Sequence, residues 1–252
     1  MNIVLPNNVF TRLIFSCLPN AIKKDVEFHP SSLIGKKVEE SEDSIGLLPT
    51  MGLISHKDFF VSGSFGISFE AALCNSYLYY NSHKRNIERI NLSGDISSQE
   101  VILSKILFKE IYKTDIEVAI FTNESKQGGK NLLIAGDKNF ENEKFRSGIS
   151  FSEEIIDALS IPYVNYIAAS KSEGSIKEFN NWIEKLSRKV YDMVESGDFG
   201  SELTDALRDY IKSNISSLVL DFDKQDVEGI TQLLRLPFFY GLIDSIVEVK
   251  FV

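Results

Sequence analysis

Cysteine is nearly missing from this 252-residue chain, with two in all, while tryptophan occurs once and histidine and methionine three times each. Cys17 and Cys74 stand at no metal-ligand spacing, and His29, His56 and His83 are scattered, so neither a metal centre nor a disulfide framework is expected. The two thiols read as small buried hydrophobes. Gly128-Gly129-Lys130 lacks the spacing and the strand-to-helix setting of a phosphate loop and reads as a hairpin tip, and no cofactor is expected.

Positive charge is also scarce. With 27 Lys and Arg against 36 Asp and Glu, the net charge is -9, leaving no basic stripe to displace counterions from a nucleic acid or to hold an anionic membrane. Lys84, Arg85 and Arg89 form only a small basic group, read as a solvated face. No stretch approaches the roughly 18 apolar residues of a membrane span. Residues Met1 to Asn20 hold an apolar run in which Ile14-Phe15-Ser16-Cys17 loosely imitates a lipoprotein cleavage site. No Lys or Arg precedes that run, Pro6-Asn7-Asn8 interrupts it and Arg12 sits within it, so it reads as a first strand, Val9 to Ser16, of a cytoplasmic protein.

What is present is ordinary globular material, 43% hydrophobic and 25% charged, enough for one large domain or two small ones. Short apolar runs ended by Pro, Gly, Ser or Asp alternate with helical patterns, the signature of βα units in a mostly parallel sheet. Strands are expected at Val26 to Phe28, Ile45 to Leu48, Phe59 to Val61, Ile67 to Phe69, Leu73 to Tyr80, Ile116 to Phe121, Leu132 to Ala135 and Tyr163 to Ala169. Helices are expected from Ser31 to about Ser41, Ser97 to Tyr112, Ser152 to Leu159, Ile176 to Val194, about Ser201 to Ile215, and Asp226 to Leu236. The apolar stripe through Ile176, Phe179, Trp182, Ile183, Leu186, Val190 and Val194 marks a core-facing helix.

Four segments in order, Ser44-Ile45-Gly46-Leu47-Leu48-Pro49-Thr50, Gly66-Ile67-Ser68, Leu132-Leu133-Ile134-Ala135-Gly136-Asp137 and Ile161-Pro162-Tyr163-Val164-Asn165-Tyr166, carry a family likeness, as do Tyr210 to Ile215 and Asp226-Val227-Glu228-Gly229-Ile230. Together they resemble the chorismate dehydratases of menaquinone synthesis. That resemblance implies an α/β chain with the two-lobed type II periplasmic-binding-protein-like fold and a helical C-terminal segment. Lobe I would comprise residues 1–73 and 163–252, and lobe II residues 74–162. A small carboxylated ring compound would lie between them, held by hydroxyls and backbone amides, which suit anions without a formal positive charge.

Carried onto this sequence, the resemblance implies Ser68, Ser97, Ser98 and Gln99 as ligand-binding residues, with Asn20 orienting the ring and Tyr163 or Tyr166 facing the cleft. A hydro-lyase needs a base near the departing proton, and burial can raise a carboxylate toward neutrality. Glu70 is the residue placed for that role. Glu70 and Glu100 stand where the family has small polar residues, and a carboxylate about 4 Å from an anionic ligand costs about 4 kcal/mol per charge pair at an effective dielectric of 20. The alternative is therefore a small-molecule-binding protein of the same fold without turnover, trapping its ligand by hinge closure. For Glu100 the plain reading is an acid in a helix's first turn, and for Glu70 a solvated strand position. A monomer or homodimer is expected.

Overall fold

The computed structural model describes residues 2–81, 87–121, 130–183 and 185–252. Lys84, Arg85 and Gly128-Gly129 lie outside the described residues. The chain opens on a strand that sequence patterning missed, β1 (Ile3–Pro6), and continues into a helix, α1 (Val9–Cys17). The strand expected at Val9 to Ser16 is therefore a helix. Asn8 explains it: its side chain accepts from the Thr11 amide at 3.1 Å while the Thr11 hydroxyl accepts from the Asn8 amide at 3.3 Å. This reciprocal cap starts a helix whose Val9, Phe10, Leu13 and Ile14 recur at helical spacing and are all buried.

A short helix α2 (Asn20–Lys23) leads to β2 (Val26–His29), a 3-10 turn at Ser31–Leu33, α3 (Ile34–Glu39) and β3 (Ile45–Pro49). The two short strands expected around residues 59 to 69 form one, β4 (Phe60–Phe69), irregular in its pairing but continuous. The chain then changes sheets. β5 (Ser76–Tyr79) is shorter than the expected Leu73 to Tyr80, and β6 (Arg89–Gly94) was not anticipated. Helix α4 (Ser98–Tyr112) begins as expected, with Ser97 as its cap. β7 (Glu117–Ile120), β8 (Leu132–Ala135), β9 (Ile149–Ser150) and α5 (Phe151–Leu159) complete the second unit.

β10 (Tyr163–Ser170) returns to the first sheet. The single helix expected over Ile176 to Val194 is two, α6 (Glu173–Ile183) and α7 (Leu186–Ser196), with Lys185 leaving the helical region at φ -112. The apolar stripe runs straight through the break, which is why periodicity does not reveal it. α8 (Asp205–Ser213), β11 (Leu218–Asp221), α9 (Lys224–Phe239) and β12 (Lys250–Phe251) follow.

Among the described residues the first sheet runs β11-β4-β10-β3-β1-β2, with β12 also on β4, and the second runs β7-β6-β8-β5-β9. β1, β2 and β3 are parallel, and so are β6, β7 and β8. β10 is antiparallel to both of its neighbours, as befits a strand that returns from the other lobe. In each lobe the parallel strands end toward the other lobe, and the crevice outside those carboxyl ends is where open α/β sheets bind ligands. Among the described residues, no helix is long and apolar enough to cross a membrane.

Candidate functional site

On the lobe I side, β1 ends at Pro6 and hands the chain to the Asn8 cap, so the Val9 amide is left without a carbonyl partner inside α1. It donates instead to Asp137 Oδ1 at 2.8 Å, while Arg12, one turn on, donates to Asp137 Oδ2 at 2.5 Å. After β2, Ser31 presents its amide to Asp95 Oδ1 at 2.8 Å and its hydroxyl to Asp95 Oδ2 at 2.5 Å. After β3, the Met51 amide donates to Gln99 Oε1 at 3.0 Å. Three parallel strands of one lobe thus end in donors, and each meets an acceptor from the other lobe.

The lobe II acceptors are delivered by a repeated device. β6 ends Ser93-Gly94 and is followed by Asp95, and β8 is followed by Gly136-Asp137, both glycines at positive φ, +90 and +77. A side chain at Gly94 would put its Cβ 2.0 Å from the Ala135 carbonyl oxygen, so only glycine allows the turn that aims Asp95 across the cleft.

Tyr166 on β10 fills the space between. Its ring is 1% exposed, and its hydroxyl lies 2.8 Å from Ser31 Oγ, 3.1 Å from Asn75 Nδ2 and 3.4 Å from Asn8 Nδ2. Ser31 uses its own proton on Asp95, so the direction is fixed: Tyr166 donates to Ser31, Ser31 donates to Asp95, and the two amides donate to the phenol oxygen. Burial holds the phenol well above its usual pKa, so it stays a neutral donor. Burial likewise raises Asp95, against the lowering effect of the Ser31 hydroxyl and amide. Asn75 and Asn165, both almost fully buried, keep side-chain oxygens with no partner in this region.

The residues nominated from sequence divide. Gln99 stands between the lobes, taking the Met51 amide and giving its NH2 to the Val164 carbonyl at 3.2 Å. Ser97 caps α4, accepting from the Gln99 amide at 3.1 Å and donating its hydroxyl to Glu100 at 2.8 Å. Ser98 is half-buried in the first turn of α4. Glu100, 1% exposed, also accepts from the Ser97 amide at 2.9 Å and from Ser76 at 3.1 Å, and burial raises its pKa.

Ser68 turns away from this cluster and donates to the Tyr163 carbonyl at 3.1 Å inside the β4–β10 ladder. The Tyr163 hydroxyl takes the Asn165 side-chain amide at 3.3 Å and its ring meets Phe151 edge-on, while the Tyr166 hydroxyl joins Ser31 and Asn8 of one lobe to Asn75 of the other. Asn20 is exposed on α2. Glu70 is exposed past the end of β4, its amide donating to the Ser217 carbonyl at 2.9 Å, and it stands apart from the cluster around Tyr166. Asn8, Ser31, Asp95 and Asp137 were not nominated. The signal that could have found the acids is the Gly-Asp pair that closes two apolar runs, Asn91-Leu92-Ser93-Gly94-Asp95 and Leu133-Ile134-Ala135-Gly136-Asp137. A separate cavity of 540 Å³, lined by Lys138, Glu141, Lys144 and Arg146 among others, shares no residue with the cleft cluster.

No protein-family model matches the chain, and no curated protein matches it. Solved structures do. The chain is similar to protein AF1704 from Archaeoglobus fulgidus, with a TM-score of 0.64 and 11% identity over 96% of this chain and 98% of that one. It is similar to the periplasmic aliphatic sulphonate binding protein SsuA from Escherichia coli, with a TM-score of 0.62 and 12% identity over 99% and 95%. The alkanesulfonate-binding protein SsuA from Xanthomonas axonopodis pv. citri, bound to MOPS, gives a TM-score of 0.52 and 10% identity over 98% and 95%. At such identities the likeness shows the fold: two lobes of the type II periplasmic-binding-protein-like kind.

Proposed function

We propose that this chain binds a small carboxylated compound between its lobes, closing residues 1–73 with 163–252 against residues 74–162. The observation that carries the reading is the pairing of Ser31 and Val9 with carboxylates. The Ser31 amide and hydroxyl, and the Val9 amide with Arg12, each already hold a carboxylate at 2.5 to 2.8 Å. Groups that hold Asp95 and Asp137 in this way have the geometry to hold a carboxylate of a ligand, through charge-assisted bonds. The anions named for the two sulphonate-binding proteins of the same fold agree with it. The protein is read as cytoplasmic.

The second reading is turnover, as a chorismate dehydratase-like lyase of menaquinone synthesis. The observation that favours it is a carboxyl at the cleft that burial raises, Asp95, in place of the expected base Glu70. Asp95 is the better situated, because it borders the space that Tyr166 and Ser31 share.

Incubation of purified protein with chorismate separates the readings. A ligand at a hundredfold excess over Kd stabilises by about 2.7 kcal/mol, read as a Tm rise of roughly 5 °C or more for a chain this long. A rise in Tm with chorismate unconsumed identifies a binder, and formation of a dehydrated product identifies the lyase. Neither a shift nor a product removes chorismate, and a panel of aliphatic and aromatic carboxylates without any shift removes the carboxylate reading itself.

A further inference from the structure

We infer that Asp95 and Asp137 are internal ligands: they occupy the donors of lobe I in the absence of an external anion, hold the cleft shut, and so decide what can enter it. The inference rests on the carboxylate reading above and goes beyond it, by assigning these two residues the part of a competitor.

Three features set these acids apart from ordinary surface ion pairs. Each reaches from one sheet to the other, so neither contact survives if the lobes separate. Each is bidentate in effect, one oxygen on a backbone amide and the other on a side chain of the same local segment, Ser31 for Asp95 and Val9 with Arg12 for Asp137. Each follows a glycine at positive φ, so the same turn has been placed twice, at the ends of β6 and β8, with the same result. Between them the Tyr166 ring takes up the interior and its hydroxyl joins the Asp95 side through Ser31. A ring with a polar edge, flanked by two carboxylates, is held by contacts of the kind a bound acid would make, yet all of it belongs to the chain.

Asn75 marks where this self-occupancy is incomplete. Its amide nitrogen serves Tyr166, but its oxygen, fully buried, has no donor. A buried unpaired acceptor forfeits its solvation without a return, and a ligand with a hydroxyl or amide donor relieves it once the lobes part. The internal acids therefore fill the anion positions while one acceptor position stays open, which favours a ligand that brings a donor as well as a negative charge.

The energetics follow from population shift. A ligand that binds only when the cleft is released has its apparent affinity reduced by the fraction of molecules in the released state. Removing an internal carboxylate raises that fraction without touching a donor. The closure also has parts that do not involve these acids, among them Gln99 on Met51, the Tyr77 hydroxyl on that of Tyr210 at 3.2 Å and the edge contact of Phe10 with Phe140 at 6.1 Å, so the variants are expected to shift the equilibrium and leave each lobe intact.

The test uses the full chain with no ligand added, so its result is independent of the chorismate experiment. Amide hydrogen exchange by NMR is followed at Val9 and Ser31 in the wild type, Asp95→Ala, Asp137→Ala and the double variant, with small-angle scattering alongside. The expected result is at least tenfold faster exchange at Ser31 in Asp95→Ala and at Val9 in Asp137→Ala. In the double variant the radius of gyration rises above the wild-type value, which is about 18 Å for a compact chain of this length. Wild-type exchange at both amides in all variants, or a scattering curve that does not change, overturns the inference. So does faster exchange throughout the strands of both sheets, which would make the acids supports of the fold. Asp95→Asn and Asp137→Asn, which keep the size and remove the charge, are measured in parallel to keep the test valid if an alanine variant unfolds.

Discussion

Half-buried Asp95 and buried Glu100 are two acids five residues apart on the same lobe, and they do opposite things. Glu100 turns back on its own lobe, where the Ser97 amide and the hydroxyls of Ser97 and Ser76 hold it in place. Asp95 reaches out, and both of its partners are on Ser31 of the other lobe. Burial raises both carboxyls, so their electrostatics alone do not tell them apart. What differs is whether the partner stays when the lobes move. A locally capped acid belongs to the stability of its lobe, and one whose partners lie across a cleft belongs to an equilibrium between states.

The sharpest way to break that contrast is Glu100→Ala. It leaves three donors in a dry site without an acceptor and removes half of a reciprocal helix cap, for an expected loss of about 3 kcal/mol, measured by urea unfolding. A loss below about 1 kcal/mol would put Glu100 in the same class as Asp95.

A smaller effect sharpens it through pH. A carboxyl whose folded pKa is raised binds its proton in the native state at pH values where the unfolded chain has lost it, so stability falls as pH rises from the ordinary carboxylate range through the raised value. Glu100 and Asp226, raised by burial, add the same sign, and Glu27 and Glu110, lowered by hydrogen bonds from His29 and Tyr240, add the opposite one. The difference between wild type and Asp95→Asn isolates one group. Relative to that variant, the wild type is expected to lose stability as pH rises from about 4 toward neutrality, in urea melts taken at half-unit steps. A flat difference would mean that the closed cleft leaves Asp95 as free as a surface acid.

The smallest expected effect is at Glu70, exposed and bonded through its backbone. Glu70→Gln should change unfolding free energy by no more than about 0.5 kcal/mol and leave any chorismate-dependent shift in Tm as it was. A lost shift would return Glu70 to the site.

The strand ends Leu47-Leu48-Pro49-Thr50 and Leu133-Ile134-Ala135-Gly136-Asp137 and the start of the return strand at Tyr163 lie where the sequence pattern puts them, and so does the beginning of α4. These features depend on neighbours a few residues away, which is the range that composition, periodicity and capping rules reach. Over Val9 to Ser16 the apolar run reads as a strand, while the deciding signal for the helix, Asn8 paired with Thr11, lies at its very start. The acids were missed as site residues because a Gly-Asp pair looks the same whether it ends a strand at a solvated turn or at a cleft.

The sequence alone carried the alternation of strands and helices, the scarcity of cysteine and positive charge, and the ordered strand ends that imply two lobes. Only the tertiary structure decided that Ser31 faces Asp95, that Val9 faces Asp137, and that Tyr166 rather than Tyr163 lies between them. The reason is distance along the chain. Those pairs are 64, 128 and 135 residues apart, and no local preference links such positions until two sheets have folded and brought their strand ends together.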